Sequence, residues 1–223
     1  MASAWTADGR AFHFTAGPFE GRLERTDAPD AFRLILGRFV LKAVGQLHWK
    51  METGCEGSSD PAPDVAYLQL PYVVAPFLVN TPAGLRLTAF FRATDLGLDV
   101  DFRLATTEPL ENVSLDLAVE WPKDGYRPFK SHNAIGPTFF NRRFPGVSAA
   151  TLIYDDNAGA TLFVDVGEHG ELKWHETGAT VRLYNQSLEK GVILVGRLAL
   201  RSAEHTTINR DLADWLGHPS ASL

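Results

Sequence analysis

The chain has 223 residues, 45% of them hydrophobic and 22% charged, with a formal net charge of −6. That composition supplies a full globular core, and its acidic balance argues against a nucleic-acid partner, whose phosphates call for a clustered basic surface. Cys55 is the only cysteine, so no intrachain disulfide forms and there is no cysteine framework for zinc. The first residues lack a basic region followed by an apolar run, and no stretch approaches the roughly 20 apolar residues that span a bilayer. The expected location is therefore cytoplasmic, with no membrane partner.

Taken in order, most of the chain alternates at period 2, the mark of half-buried strands. Residues 11–16 set Phe12 and Phe14 against His13 and Thr15, and residues 20–26 read as a polar edge strand. Residues 32–44 read as one long apolar strand bent at Gly37 and Arg38. Residues 46–52 alternate Leu47, Trp49 and Met51 against His48, Lys50 and Glu52. Residues 53–63 (TGCEGSSDPAP) have the composition of a loop. Pro71 and Pro76 lack the N–H of a central ladder, so residues 65–70 and 72–79 are expected at an edge or bent.

Three regular strands follow, at 85–93, 98–104 and 112–120. The second sets Leu98, Val100, Phe102 and Leu104 against Asp99, Asp101 and Arg103. The third turns Val113, Leu115, Leu117 and Val119 inward and Ser114, Asp116, Ala118 and Glu120 outward. The links are too short for crossover helices and suit antiparallel connections.

Residues 123–146 (KDGYRPFKSHNAIGPTFFNRRFPG) break the pattern. They hold three prolines and no sustained period, and loops of this length in compact domains are often functional. Beyond them, 149–154 and 160–166 flank a hairpin turn at Asp155 to Gly159. Strands at 171–176, 180–185 and 191–201 complete the series. Thr207 is placed to cap a helix over 208–216, with Gly217 and Pro219 after it. About fourteen antiparallel strands cannot remain one open twisted sheet. The expectation is an all-β protein, a single large β-sandwich over 1–223 with one short C-terminal helix, and a lipocalin-like β-barrel is the alternative.

Within 123–146, Tyr126, Arg127, Lys130, His132, Asn133, Arg142 and Arg143 interleave with phenylalanines. Arginine grips carboxylates bidentately, and aromatic faces cover the apolar side of a sugar ring, so the stretch suits an anionic or polyhydroxylated ligand. The plainer reading is a solvated loop anchored by its aromatics. His48 and Glu52 share one face of a strand and form a candidate acid/base pair; the alternative is a polar outer face. Trp174 and Glu176 share a face in the manner of a sugar site, although Trp174 serves equally as core. Glu189 lies in a polar corner, a setting that turns commonly have. No nucleotide, hydrolase or zinc motif is present, so neither cofactor nor metal is expected.

Ser131-His132-Asn133 followed by Thr138-Phe139-Phe140-Asn141, with the strand count and a late Glu189, resembles the galactose mutarotase-like β-supersandwich of sugar epimerases and of N-terminal domains in glycoside hydrolases and lyases. The resemblance implies carbohydrate chemistry, with His132 and either Glu52 or Glu189 as acid and base. On the carbohydrate reading Arg127, Arg142 or Arg143 is expected to hold the substrate, and the resemblance leaves His48 as the one candidate for the family's earlier histidine. The closing strand with its Trp-bearing helix looks like the join to a following helical catalytic domain. The functional expectation is a protein that binds or processes a sugar or sugar acid through 123–146 and a concave sheet face. The alternatives are a barrel that binds or isomerises an apolar small molecule, and a non-catalytic interaction domain that forms a homodimer through the apolar edge at 68–79.

Overall fold

A computed structural model describes residues 5–9, 11–16, 19–25, 32–36, 39–42, 45–94, 97–120, 127–128, 147–155, 158–165, 170–175 and 178–202. All regular structure among them is β. The expected helix at 208–216 lies outside these residues, and no described helix is long and apolar enough to cross a membrane.

Strands are numbered along the chain. The first sheet has ten. Its main path runs β1 (Trp5–Asp8), β2 (Ala11–Ala16), β3 (Phe19–Arg25), β4 (Phe32–Leu36), β5 (Phe39–Lys42), β13 (Leu110–Glu120), β18 (Gly178–Leu188) and β17 (Glu171–His175). β6 (Gln46–Met51) joins the flank of β13, and β7 (Glu56–Ser59) pairs with β6. The second sheet has nine strands. Its path runs β14 (Arg127–Pro128), β15 (Val147–Asp155), β16 (Ala158–Asp165), β19 (Ile193–Ser202), β12 (Gly97–Ala105), β11 (Arg86–Thr94), β10 (Tyr72–Leu78) and β8 (Ala62–Pro63), with β9 (Tyr67–Gln69) also on β10. The pairings are antiparallel, and neither path closes on itself among the described residues, so the architecture is a β-sandwich rather than the barrel.

Alternation builds the core. Leu115 and Leu117 of β13 and Val181 and Leu183 of β18 meet Phe91, Val100, Phe102 and Leu198 of the other sheet in one buried cluster. Each such side chain contributes about 1.5–3 kcal/mol when fully buried. Tyr184 ties the layers by hydrogen bonds: its hydroxyl donates to the Phe102 carbonyl at 2.7 Å and accepts from the Gly196 N–H at 3.1 Å. A Cβ on Gly196 would lie 2.8 Å from the end of the Leu183 side chain and 3.2 Å from the Tyr184 ring, so a larger residue here would have to displace both.

Several expectations change. The long strand expected at 32–44 is two antiparallel strands, β4 and β5, with Leu36 opposite Phe39 and Arg33 opposite Lys42. β3 is no edge strand: β2 and β4 flank it. The loop at 53–63 contains β7 and β8, and Gly57 lies so close to the Trp49 ring that a Cβ there would be 2.8 Å from it. β10 is paired on both sides, but its outer partner is split, with β9 against residues 72–74 and β8 against 77–78. Pro76, which has no N–H to give, falls in the gap, where its carbonyl accepts from the Asp64 N–H at 3.0 Å.

Candidate functional site

The alternation that buries Leu47, at 0% exposure, turns His48 and Lys50 onto the outer face of the ten-stranded sheet. Register then sets the neighbours. His48 lies between Ser58 of β7 and Ser114 of β13, and Lys50 between Glu56 and Asn112. In the next row Asp116 stands between Gln46 and Arg182, with Glu171 of β17 beyond. His48, Lys50, Glu56, Ser58, Asn112 and Ser114 line a depression of about 470 Å³. That volume is within the range of small-molecule sites, and its walls carry hydroxyl, amide, imidazole, ammonium and carboxylate groups.

Ion pairs organise this face. Arg182 clamps Asp116 with two hydrogen bonds, from Nε to Oδ1 and from Nη2 to Oδ2, each 2.7 Å. This bidentate geometry holds the carboxylate plane, and it raises the Arg182 guanidinium further above its ordinary value. Nε2 of His48 is 3.6 Å from Oδ2 of the same carboxylate. Lys50 Nζ meets Glu111 at 2.6 Å, and this hydrogen bond and charge push the ammonium upward. An imidazole beside a clamped carboxylate and two serines has the parts for proton transfer to or from a bound hydroxyl.

Of the sequence candidates, His48 is in this depression. Glu52 is exposed in the turn after β6, where the Gly54 N–H donates to the Met51 carbonyl at 2.9 Å. Glu189 is exposed in the β18–β19 turn, its carbonyl accepting from the Val192 N–H at 3.1 Å. Met51 and Leu188 both oppose Leu110, so Glu52 and Glu189 flank the start of β13 at one end of the sheet. The carboxylate beside His48 is thus Asp116 and not Glu52. Arg127 contributes backbone to β14, at the margin of the other sheet. Trp174 pairs with Ala179 in β17; its side chain is outside the described residues, as are Tyr126, His132, Asn133, Arg142, Arg143 and Glu176. Sequence reasoning missed Ser58, Asn112, Ser114, Asp116 and Arg182. The outward positions on residues 112–120 carried the signal for Ser114 and Asp116. Among the described residues no group of three or more His, Cys, Asp or Glu is placed to hold a metal ion.

No family model matches the sequence, and neither does any curated protein. Solved structures do resemble the fold. One is a protein from the human microbiome assigned as a kojibiose phosphorylase (TM-score 0.51, 8% identity, covering 95% of this chain and 32% of that one). Another is a mutant of the heparan sulfate lyase HepC from Pedobacter heparinus (TM-score 0.50, 10% identity, 92% and 37%). A galactose mutarotase-like protein from Clostridium acetobutylicum is also similar (TM-score 0.48, 7% identity, 87% and 95%). The chain spans about a third of the length of the first two proteins. The resemblance read from the sequence holds at the level of the fold, a β-sandwich that carbohydrate-active enzymes carry.

Proposed function

We propose that the outer face of the ten-stranded sheet binds a neutral, polyhydroxylated sugar, with His48 and Asp116 as its proton-transferring pair. The observation that carries this reading is the 470 Å³ depression lined by His48, Ser58, Asn112 and Ser114 beside the clamped Asp116. The fold shared with carbohydrate-active proteins supports it. Charge balance favours a neutral ligand over a sugar acid: Lys50 is taken by Glu111, and Arg182 and His48 face Asp116. A carboxylate or sulfate would need a cation released from such a pair. Among the residues expected from the sequence, His132, Arg142 and Arg143 are proposed to add contacts from 123–146, and Glu52 and Glu189 to act from the sheet's end.

Isothermal titration against neutral mono- and disaccharides, kojibiose among them, and against a heparan sulfate disaccharide tests this reading. A neutral sugar is expected to bind, with Ser58→Ala weakening it about 3- to 10-fold, the worth of one hydrogen bond. His48→Ala should abolish any turnover while the thermal midpoint stays near wild type, and His132→Ala reports on the 123–146 stretch in the same way. Preference for the sulfated sugar, or heat from none of the panel, refutes the proposal.

One observation favours a second reading, an interaction surface that pairs two copies. Val65, Tyr67, Leu70 and Leu78 are 49–65% exposed around the β9 and β10 edge, and such edges invite partners. A dimer mass in light scattering that Leu70→Glu returns to monomer would support it.

A further inference from the structure

We infer that Asn185 is a positioning residue for the proposed sugar site: it fixes the Asn112 amide so that the rest of that amide faces the ligand. The inference rests on the ligand reading above. It starts from the backbone. Tyr184 and Asn185 have positive φ, 69° and 95°, the two non-glycine residues to do so among those described. This region is sparsely populated by L residues, and such strain persists only where the surroundings over-determine it.

The register explains the strain. Leu110 faces Leu188, Val113 faces Gln186 and Ser114 faces Tyr184, so one extra residue enters β13 and then one enters β18. Paired bulges of this kind re-aim side chains. Here they turn Tyr184 inward, where its hydroxyl is held by Phe102 and Gly196 of the other sheet, and leave Asn185 exposed. Asn185 Oδ1 then accepts a hydrogen bond from Asn112 Nδ2 at 3.3 Å.

Asn112 lines the depression. Its amide offers two N–H donors and one acceptor. Committing one N–H to Asn185 decides which way the amide faces, and the other N–H and the oxygen make no hydrogen bond among the described residues. One donor and one acceptor side by side match a sugar hydroxyl pair. Lys50, opposite Asn112, is held by Glu111 and does not compete.

Conformation alone would favour glycine at 185, because glycine adopts positive φ without penalty. Substitution therefore separates the two roles. The measurements are melting temperature and titration with the neutral disaccharide panel, for wild type, Asn185→Gly, Asn185→Asp, Asn112→Ala and Ser58→Ala. Asn185→Gly is expected to melt at or above wild type yet bind about 3- to 10-fold more weakly. Asn185→Asp keeps the acceptor oxygen and should restore binding, while Asn112→Ala, which removes the contacting amide itself, should lose at least as much as Asn185→Gly. The positioning role alone is overturned if Ser58→Ala weakens binding and Asn185→Gly does not. It is overturned too if Asn185→Asp is no better than Asn185→Gly, or if Asn185→Gly melts below wild type, which marks residue 185 as structural. Absence of binding by wild type sinks the ligand reading and this inference with it.

Discussion

Tyr184 joins a strained backbone, a buried hydroxyl and the contact between the two sheets in one side chain. Its oxygen has both a donor and an acceptor partner in the opposite sheet. Tyr184→Phe removes the oxygen and leaves the Gly196 N–H and Phe102 carbonyl without it, a change worth about 1–3 kcal/mol at neutral pH. Burial pushes the phenol upward from its ordinary value, outweighing the Gly196 hydrogen bond. The unfolded chain ionises this tyrosine near pH 10, whereas the folded one keeps it protonated. Above about pH 10 the unfolded state therefore binds fewer protons, and stability falls by up to about 1.4 kcal/mol per pH unit; below pH 10 the contribution is whole. Phenylalanine has no such loss, so the gap between wild type and Tyr184→Phe should narrow from pH 8 to pH 11 in urea titrations. A constant gap would mean the phenol reaches water.

The site depends on how β5 and β6 share one flank of β13. β5 pairs with Val119 and Glu120, and β6 takes over from Asp116 toward Leu110. Gly45 sits at the hand-over, where a Cβ would fall 2.0 Å from the Asp116 carbonyl oxygen. Backbone in a three-strand ladder cannot step aside, so Gly45→Ala should push β6 off β13, cost about 1–3 kcal/mol and part His48 from Asp116. The check is thermal melting together with sugar titration, and an alanine variant that melts like wild type would show that the link moves freely. The strands expected at 46–52, 98–104 and 112–120 were legible because apolar and polar residues alternate through them in the sequence. His48 was legible as an outward residue on such a strand. Its pairing with Asp116 was not, since 68 positions separate them and only the register of β6 on β13 brings them together. Nor did the sequence disclose the double bulge that presents Asn185: Tyr and Asn at 184 and 185 read as ordinary strand residues until opposed to Asn112–Ser114.

At the scale of the whole molecule, the two sheets treat their outer faces differently. Alternation put Asp99 and Asp101 on the face of β12 opposite Leu98 and Val100, yet they are 3% and 6% exposed. Asp99 is held from two sides, by Arg92 at 2.5 Å and by Arg201 of β19, and Arg201 is itself 3% exposed. Arg103 stacks its guanidinium 4.7 Å from the centroid of Phe90 on the same face. A buried ion pair gains little over an apolar pair of like volume, because desolvation offsets the attraction. Breaking it from one side is another matter. Asp99→Ala strands two arginines and should cost about 3–5 kcal/mol. Pairing it with Arg201→Leu removes one stranded charge, so the double variant should be more stable than the sum of the single changes by at least about 1 kcal/mol. Urea titration of the four proteins in this cycle measures the coupling. Additive losses would mean that Asp99 and Arg201 do not depend on each other, and that the charge on this face is solvated after all.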